Sequence, residues 1–196
     1  MTEPDPGDAA YEAELARVTI GEVEPLSREI ELREYDPQWP VLYAREESRI
    51  RRALGDRVVR IEHAGSTSVP GLAAKPIVDI ALEVPDSADE GAYVPALEEA
   101  GYVLRIREPE WFEHRAFKGP DTNVNVHTFP RACEEFDRMV LFRDRLRSDP
   151  GDRALYEAAK RDLASRNWRF VQQYADAKSA VVREILLRAG AAQDRA

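Results

Sequence analysis

The chain has 196 residues, and its 37 Asp and Glu outnumber its 28 Lys and Arg to leave a formal net charge of −9. That length fits one domain with a sizeable core, and the acid excess argues against a general nucleic-acid or anionic-membrane binder while leaving room for a local basic patch. Cys133 is the single cysteine, so an intrachain disulfide and a multi-cysteine zinc site are excluded. With no signal-type segment and no apolar run of membrane length, the expectation is a cytoplasmic protein with no nucleic acid and no membrane among its partners.

Residues 1–28 read as a tail, disordered or loosely packed: the first ten are acidic and poor in large apolar groups, and a short helix is expected over 11–18 before Gly21 and Pro25 break the pattern. A single domain is expected over 29–190. Ile30 and Leu32 alternate with charged neighbours, which predicts a strand. Asp36 then suits an N-cap and Pro37 a first helical position, followed by Trp39, Leu42, Tyr43, Ile50 and Leu54 at helical spacing up to Gly55.

Val58 to His63 reads as a strand, with Glu62 and His63 on opposite faces. A tight turn at Gly65-Ser66 and a short polar segment through Lys75-Pro76 lead to the apolar run Ile77-Val78-Asp79-Ile80-Ala81-Leu82. Asp79 stands out there, because a carboxylate between β-branched neighbours needs a metal, a cation or hydrogen-bond donors. One reading has the turn aiming backbone N–H groups and the hydroxyls of Ser66, Thr67 and Ser68 at an anion, with Asp79 holding Mg²⁺ against it. The other is a plain turn with Asp79 paired to Lys75 or an arginine.

Beyond it, a helix is expected over 88–101, strands over 102–107 and 111–118, and a strand from Asn123 that forms a hairpin with the last of these. In Asn123-Val124-Asn125-Val126-His127 the polar residues share one face and the valines the other. The last third predicts three helices, about 136–148, 152–165 and 167–189, with Lys178 interrupting the apolar band of the third.

The run IEHAGSTSVPGLAAKPIVDI, with YDPQWP at 35–40, NVNVHTF at 123–129, LFRDRLR at 141–147, LYEAAKRDLA at 155–164 and YADAKSAVVREI at 174–185, resembles the GrpB-like family of the nucleotidyltransferase fold superfamily. The resemblance implies an α/β (α+β) fold: a small mixed β-sheet with flanking helices and a C-terminal helical unit. It also implies a nucleoside triphosphate bound through Gly65 and Ser66, Mg²⁺ on Asp79 with Glu83 or His127, and phosphate charge met by Lys75, Arg143, Lys160 and Lys178. Glu62 or His63 would serve as general base toward a small-molecule acceptor, and Asn125 would lie in the same cleft. Such enzymes usually carry two acids at spacing two on one strand, able to share metal ions. Here the second position is Ala81, and Glu83, on the same face, lies about 7 Å further along the strand than that position. A non-catalytic binding module and, more remotely, a metal-dependent hydrolase built on His63, Asp79 and His127 are therefore the alternatives. The sequence leaves the oligomeric state open.

Overall fold

The structure is a computed structural model that describes residues 6–27, 29–121 and 123–193. Its elements are α1 (Pro6–Val18), α2 (Gln38–Leu54), β1 (Arg60–Ala64), β2 (Val78–Val84), α3 (Val94–Glu99), β3 (Val103–Glu108), β4 (His114–Lys118), β5 (Val124–Pro130), α4 (Glu134–Ser148), α5 (Pro150–Ala164), α6 (Val171–Ala177) and α7 (Ser179–Gln193). The strands form one mixed sheet in the order β1-β2-β5-β4-β3, as the α/β reading expects. β2 and β5 run parallel at its centre, and the other neighbours are antiparallel.

The two faces of the sheet divide the molecule. Ile61, Val78, Ile80, Leu82, Val84, Val124, Val126 and Phe117 project to one side and bury themselves against Ile50 and Leu54 of α2 and Leu97 of α3. Each such side chain contributes roughly 1.5–3 kcal/mol when fully buried, so this face fixes the register. A one-residue slip would turn Asp79 and Asn125 into the core. On the other face, Ala64, Ala81 and Phe129 meet Cys133 and Phe136 under α4. α5, α6 and α7 extend that layer, with Leu146, Tyr156 and Ile185 packed on Val69 and Leu72 of the β1–β2 connection.

Several elements depart from their predicted form. Residues 30–32 form no strand; the chain there makes only an isolated bridge between Arg33 and Ala74, because no other strand lies alongside to extend the pairing. Pro37 occupies the N-cap position of α2 rather than the first helical one, but Asp36 still caps, its carboxylate accepting from Gln38 N at 2.8 Å. The helix expected over 88–101 is a short 3₁₀ turn at Glu90–Ala92 followed by the six residues of α3. β4 begins at His114, not Trp111, since Phe112 and Glu113 adopt φ of 54° and 50° and cannot continue a strand. The last helix is split at Lys178 into α6 and α7.

The predicted disorder of residues 1–5 lies outside the described residues. From Pro6 onward the tail is helical, because its polar face has partners: Asp8, Tyr11 and Glu12 bond to Gln173, Asp176 and Arg169. Thr19 and Ile20 then bridge to β3, and residues 19–24 roof one end of the sheet.

Candidate functional site

The polar face of β2, β5 and β4 opens into a cleft of about 560 Å³, walled by α6 and roofed by the segment after α1. At its foot Asp79 pairs across the sheet with Ala64 of β1 and Asn125 of β5. Gly65 makes the close approach possible. Its φ is +65°, and a Cβ there would fall 2.9 Å from Asp79 Cβ, so both the conformation and the space demand glycine.

The carboxylate is held by an ordered set of donors. Asn125 Nδ2 donates to Asp79 Oδ1 at 2.8 Å, while Lys118 Nζ donates to Asn125 Oδ1 at 2.6 Å and so fixes which way the amide faces. Burial pushes the Asp79 carboxyl up, but the opposing effects of His127, Asn125 and Lys75 are larger together and hold it below the usual carboxylate range.

Lysines dominate the remainder of the cleft: Lys75, Lys118, Lys160 and Lys178 all line it. Desolvation lowers the pKa of each, to about 8 for Lys75 and about 7 for Lys160, with the charge of Lys178 adding to both shifts. Lys160 is 2% exposed, donates to the Ala73 carbonyl and lies over the Tyr156 ring. Lys75 and Lys178 sit 5.2 and 4.7 Å from the centre of the Tyr174 ring. The break between α6 and α7 at Lys178 turns that side chain into the cleft.

His127 completes the foot, with Nε2 3.8 Å from Asp79 Oδ1. Behind it lies a relay: His127 Nδ1 is 3.1 Å from His114 Nε2, and His114 Nδ1 is 2.7 Å from Glu108 Oε2. Burial lowers the His114 pKa, favouring a neutral ring. With its Nδ1–H given to Glu108, His114 accepts at Nε2, so His127 donates from Nδ1 and turns Nε2 toward Asp79 and the cleft.

The family model described as GrpB protein matches residues 29–188. The chain belongs to the GrpB family. A UPF0157 protein of Halalkalibacterium halodurans is 59% identical over 91% of both chains. The crystal structure of a conserved GrpB protein from Enterococcus faecalis, 28% identical, superposes with a TM-score of 0.72 over 81% of this chain and 96% of that one. A more distant relative in Mycolicibacterium paratuberculosis, named dephospho-CoA kinase, is 30% identical over 79% of this chain, and the match takes up 44% of that protein.

Not every residue that the GrpB resemblance nominates reaches the cleft. Gly65, Ser66, Lys75, Asp79, Asn125, His127, Lys160 and Lys178 do. Thr67 and Ser68 spend their hydroxyls inside the turn, donating to Ile77 O at 3.2 Å and Gly65 O at 2.6 Å. Because the Thr67 hydroxyl donates to a carbonyl, it accepts from His63 Nε2 at 3.1 Å, and His63 stacks on Tyr43 in the opposite layer. Burial drops the His63 pKa to about 4, so the ring is neutral. Glu62 pairs with Arg143 at 2.7 Å, and the same guanidinium donates to His63 O at 3.1 Å. Glu83 is buried beneath the start of α4, accepting from Ala132 N, and stands apart from Asp79. Ala81 is fully buried under α4, so the usual second-acid position is closed by packing.

Sequence reasoning passes over Lys118, His114 and Glu108. The one available signal is strand parity in the β4–β5 hairpin, which sets Lys118 opposite Asn125 and places His114 on the same face.

Proposed function

We propose that this GrpB protein is nucleotidyltransferase-like and binds a nucleoside triphosphate in the lysine-lined cleft. The observation that carries the reading is the gathering of Lys75, Lys118, Lys160 and Lys178 with Asp79 in one cleft beside the Gly65-Ser66 turn. The four lysines and Arg105 outnumber Asp79, Glu22 and Glu24 in the cleft lining, an excess of positive charge that a triphosphate satisfies and a neutral metabolite does not. A GrpB-like region within a protein named dephospho-CoA kinase agrees with a phosphate-rich ligand.

The donor set does not suit a pair of metal ions, since no group of three or more His, Cys, Asp or Glu gathers among the described residues. It fits a single Mg²⁺ shared with the ligand's own phosphates, held on the protein side by Asp79 with His127 beside it. Bound there, Mg²⁺ would neutralise phosphate charge. The protein's own part is to hold the phosphates on the lysines and offer His127 Nε2 to the proton of a small hydroxyl or amine acceptor; a carboxylate acceptor attacks already deprotonated and needs no base. The Glu108–His114 pair holds the ring so that this nitrogen faces the cleft.

A second reading, binding without transfer, is favoured by the closure of position 81. Calorimetric titration with ATP, GTP, CTP and UTP, with and without Mg²⁺, tests both. At least one nucleotide should bind, Lys118→Ala should weaken it about tenfold, and Asp79→Asn should remove any Mg²⁺ dependence. Binding that leaves the nucleotide intact across an acceptor screen selects the second reading; no binding by any of the four overturns both.

A further inference from the structure

β1 is an edge strand, and its outer edge is dressed by side chains rather than by another strand. Tyr43 Oη donates to Ile61 O at 3.3 Å and Arg143 Nη1 to His63 O at 3.1 Å, which satisfies carbonyls that would otherwise invite pairing. Outside them lies a second cavity of about 450 Å³, within the size range of small-molecule sites. The Gly65–Ser68 turn separates it from the lysine cleft: Gly65 and Ser66 line the cleft, Ser68 this cavity.

Three arginines face the cavity, and their pairing is unequal. Arg143 is held by Glu62 at 2.7 Å and Asp144 at 2.8 Å. Arg147 makes two bonds to Ser68 O, at 3.0 and 2.8 Å, and reaches Asp144 only at 3.6 Å. Burial and the neighbouring Arg143 lower its pKa, the mark of a crowded cation. Arg153 donates to Leu146 O at 3.4 Å and has no carboxylate partner among the described residues. Three cations thus face two acids, Glu62 and Asp144. Tyr35, Pro40 and Pro70 line the cavity as well, with Tyr43 and the neutral His63 beside them.

We propose that this cavity is a second ligand site, separate from the lysine cleft, for a small organic anion whose carboxylate or phosphate monoester meets Arg147 and Arg153 while a flat ring lies against Tyr35, Pro40 and Pro70. One surplus positive charge suits a single anionic head group, and guanidinium forks suit its paired oxygens. The inference does not depend on the nucleotide reading, since no residue is shared with the lysines of the cleft.

Titration of the full chain with benzoate and phenyl phosphate, followed by NMR, separates the two head groups. Benzamide supplies the ring without charge and inorganic phosphate the charge without ring. The site predicts that at least one ring anion binds about tenfold or more tighter than either control and shifts the Nε–H signals of Arg147 and Arg153. Arg153→Ala should weaken that binding about tenfold, and Lys118→Ala should leave it unchanged. Arg153 is half-buried and carries one long hydrogen bond, so its removal spares the fold; the arginine signals of the unsubstituted protein are the independent readout. Ring anions that bind no better than the controls overturn the proposal. So does binding that survives Arg153→Ala or is lost with Lys118→Ala, which would put the anion in the cleft.

Discussion

The Gly65–Ser68 turn has a cavity on each side, and the two treat their cations differently. In the cleft most cations are lysines, none in a close ion pair among the described residues, and desolvation pulls their pKa values down. At the β1 edge they are arginines, and the best-buried one, Arg143, is engaged by two carboxylates and a strand carbonyl. Lysine loses charge when it is desolvated; arginine keeps it and must be neutralised or hydrated. The cleft is therefore a region whose charge responds to what enters. The edge is a region whose charge is fixed and largely spent on holding β1, the turn and α4 together.

The largest effect that would break this contrast is on the turn itself. Gly65→Ala places a methyl group against Asp79 at a φ of +65°. The expected cost is roughly 3 kcal/mol of stability, read by denaturant unfolding, with loss of cleft binding. Binding at the β1 edge should persist in the fraction that folds. Equal loss of both sites would mean that the turn carries them as one unit.

Much of this cleft is legible in the amino-acid sequence. Asp79 stands out because an acid in an apolar run requires a partner, and the alternation of Asn123, Val124, Asn125, Val126 and His127 sets its neighbours on one face. Lys178 is visible as a cation breaking an apolar helical band. Illegible are the pairings that only the tertiary register creates. The hairpin of β4 with β5 is expected from the sequence and forms, but its register, and the fold of β3 onto β4 that brings Glu108 to His114, are not local properties. Glu62 and Arg143 have the look of site residues in the sequence, but the edge position of β1 gives them each other, 81 residues apart. Residues 30–32 show the converse: their alternation is real, but a strand needs a partner, and only Ala74 is within reach of Arg33.

A smaller effect sharpens the edge side. His63 is buried and neutral, with its pKa lowered to about 4 from the ordinary imidazole value by burial. A base with a depressed folded pKa binds fewer protons folded than unfolded, so its contribution is complete above pH 6.5 and is lost as the pH falls toward about 4. The loss should approach about 3 kcal/mol across that window. His63→Gln keeps a donor for Thr67 and removes the titration. Its stability should be lower than that of the unsubstituted protein at pH 7 through loss of the Tyr43 stack, but nearly flat between pH 6.5 and 4 apart from the carboxylates. A variant with the same acid slope as the parent would show that His63 is not the group that senses it.

The smallest effect distinguishes the two cavities most directly, because it counts protons rather than energy. Lys160 and Lys75 have pKa values of about 7 and about 8. Near pH 8 part of this cluster is therefore neutral in the free protein. A polyanion bound among these lysines raises their pKa values, so binding must take protons up from the buffer, by up to about one per ligand. Arginines do not deprotonate in this range, and an anion at the β1 edge should bind with no uptake beyond its own titration. Calorimetry of ATP and of the ring anion at pH 8, each in two buffers of different ionisation enthalpy, measures the difference. Buffer-dependent heats for the nucleotide and buffer-independent heats for benzoate would place the two ligands on opposite sides of the turn. Uptake by neither would mean that the cleft lysines stay charged when empty, and the distinction between a responsive and a fixed cationic region would fall.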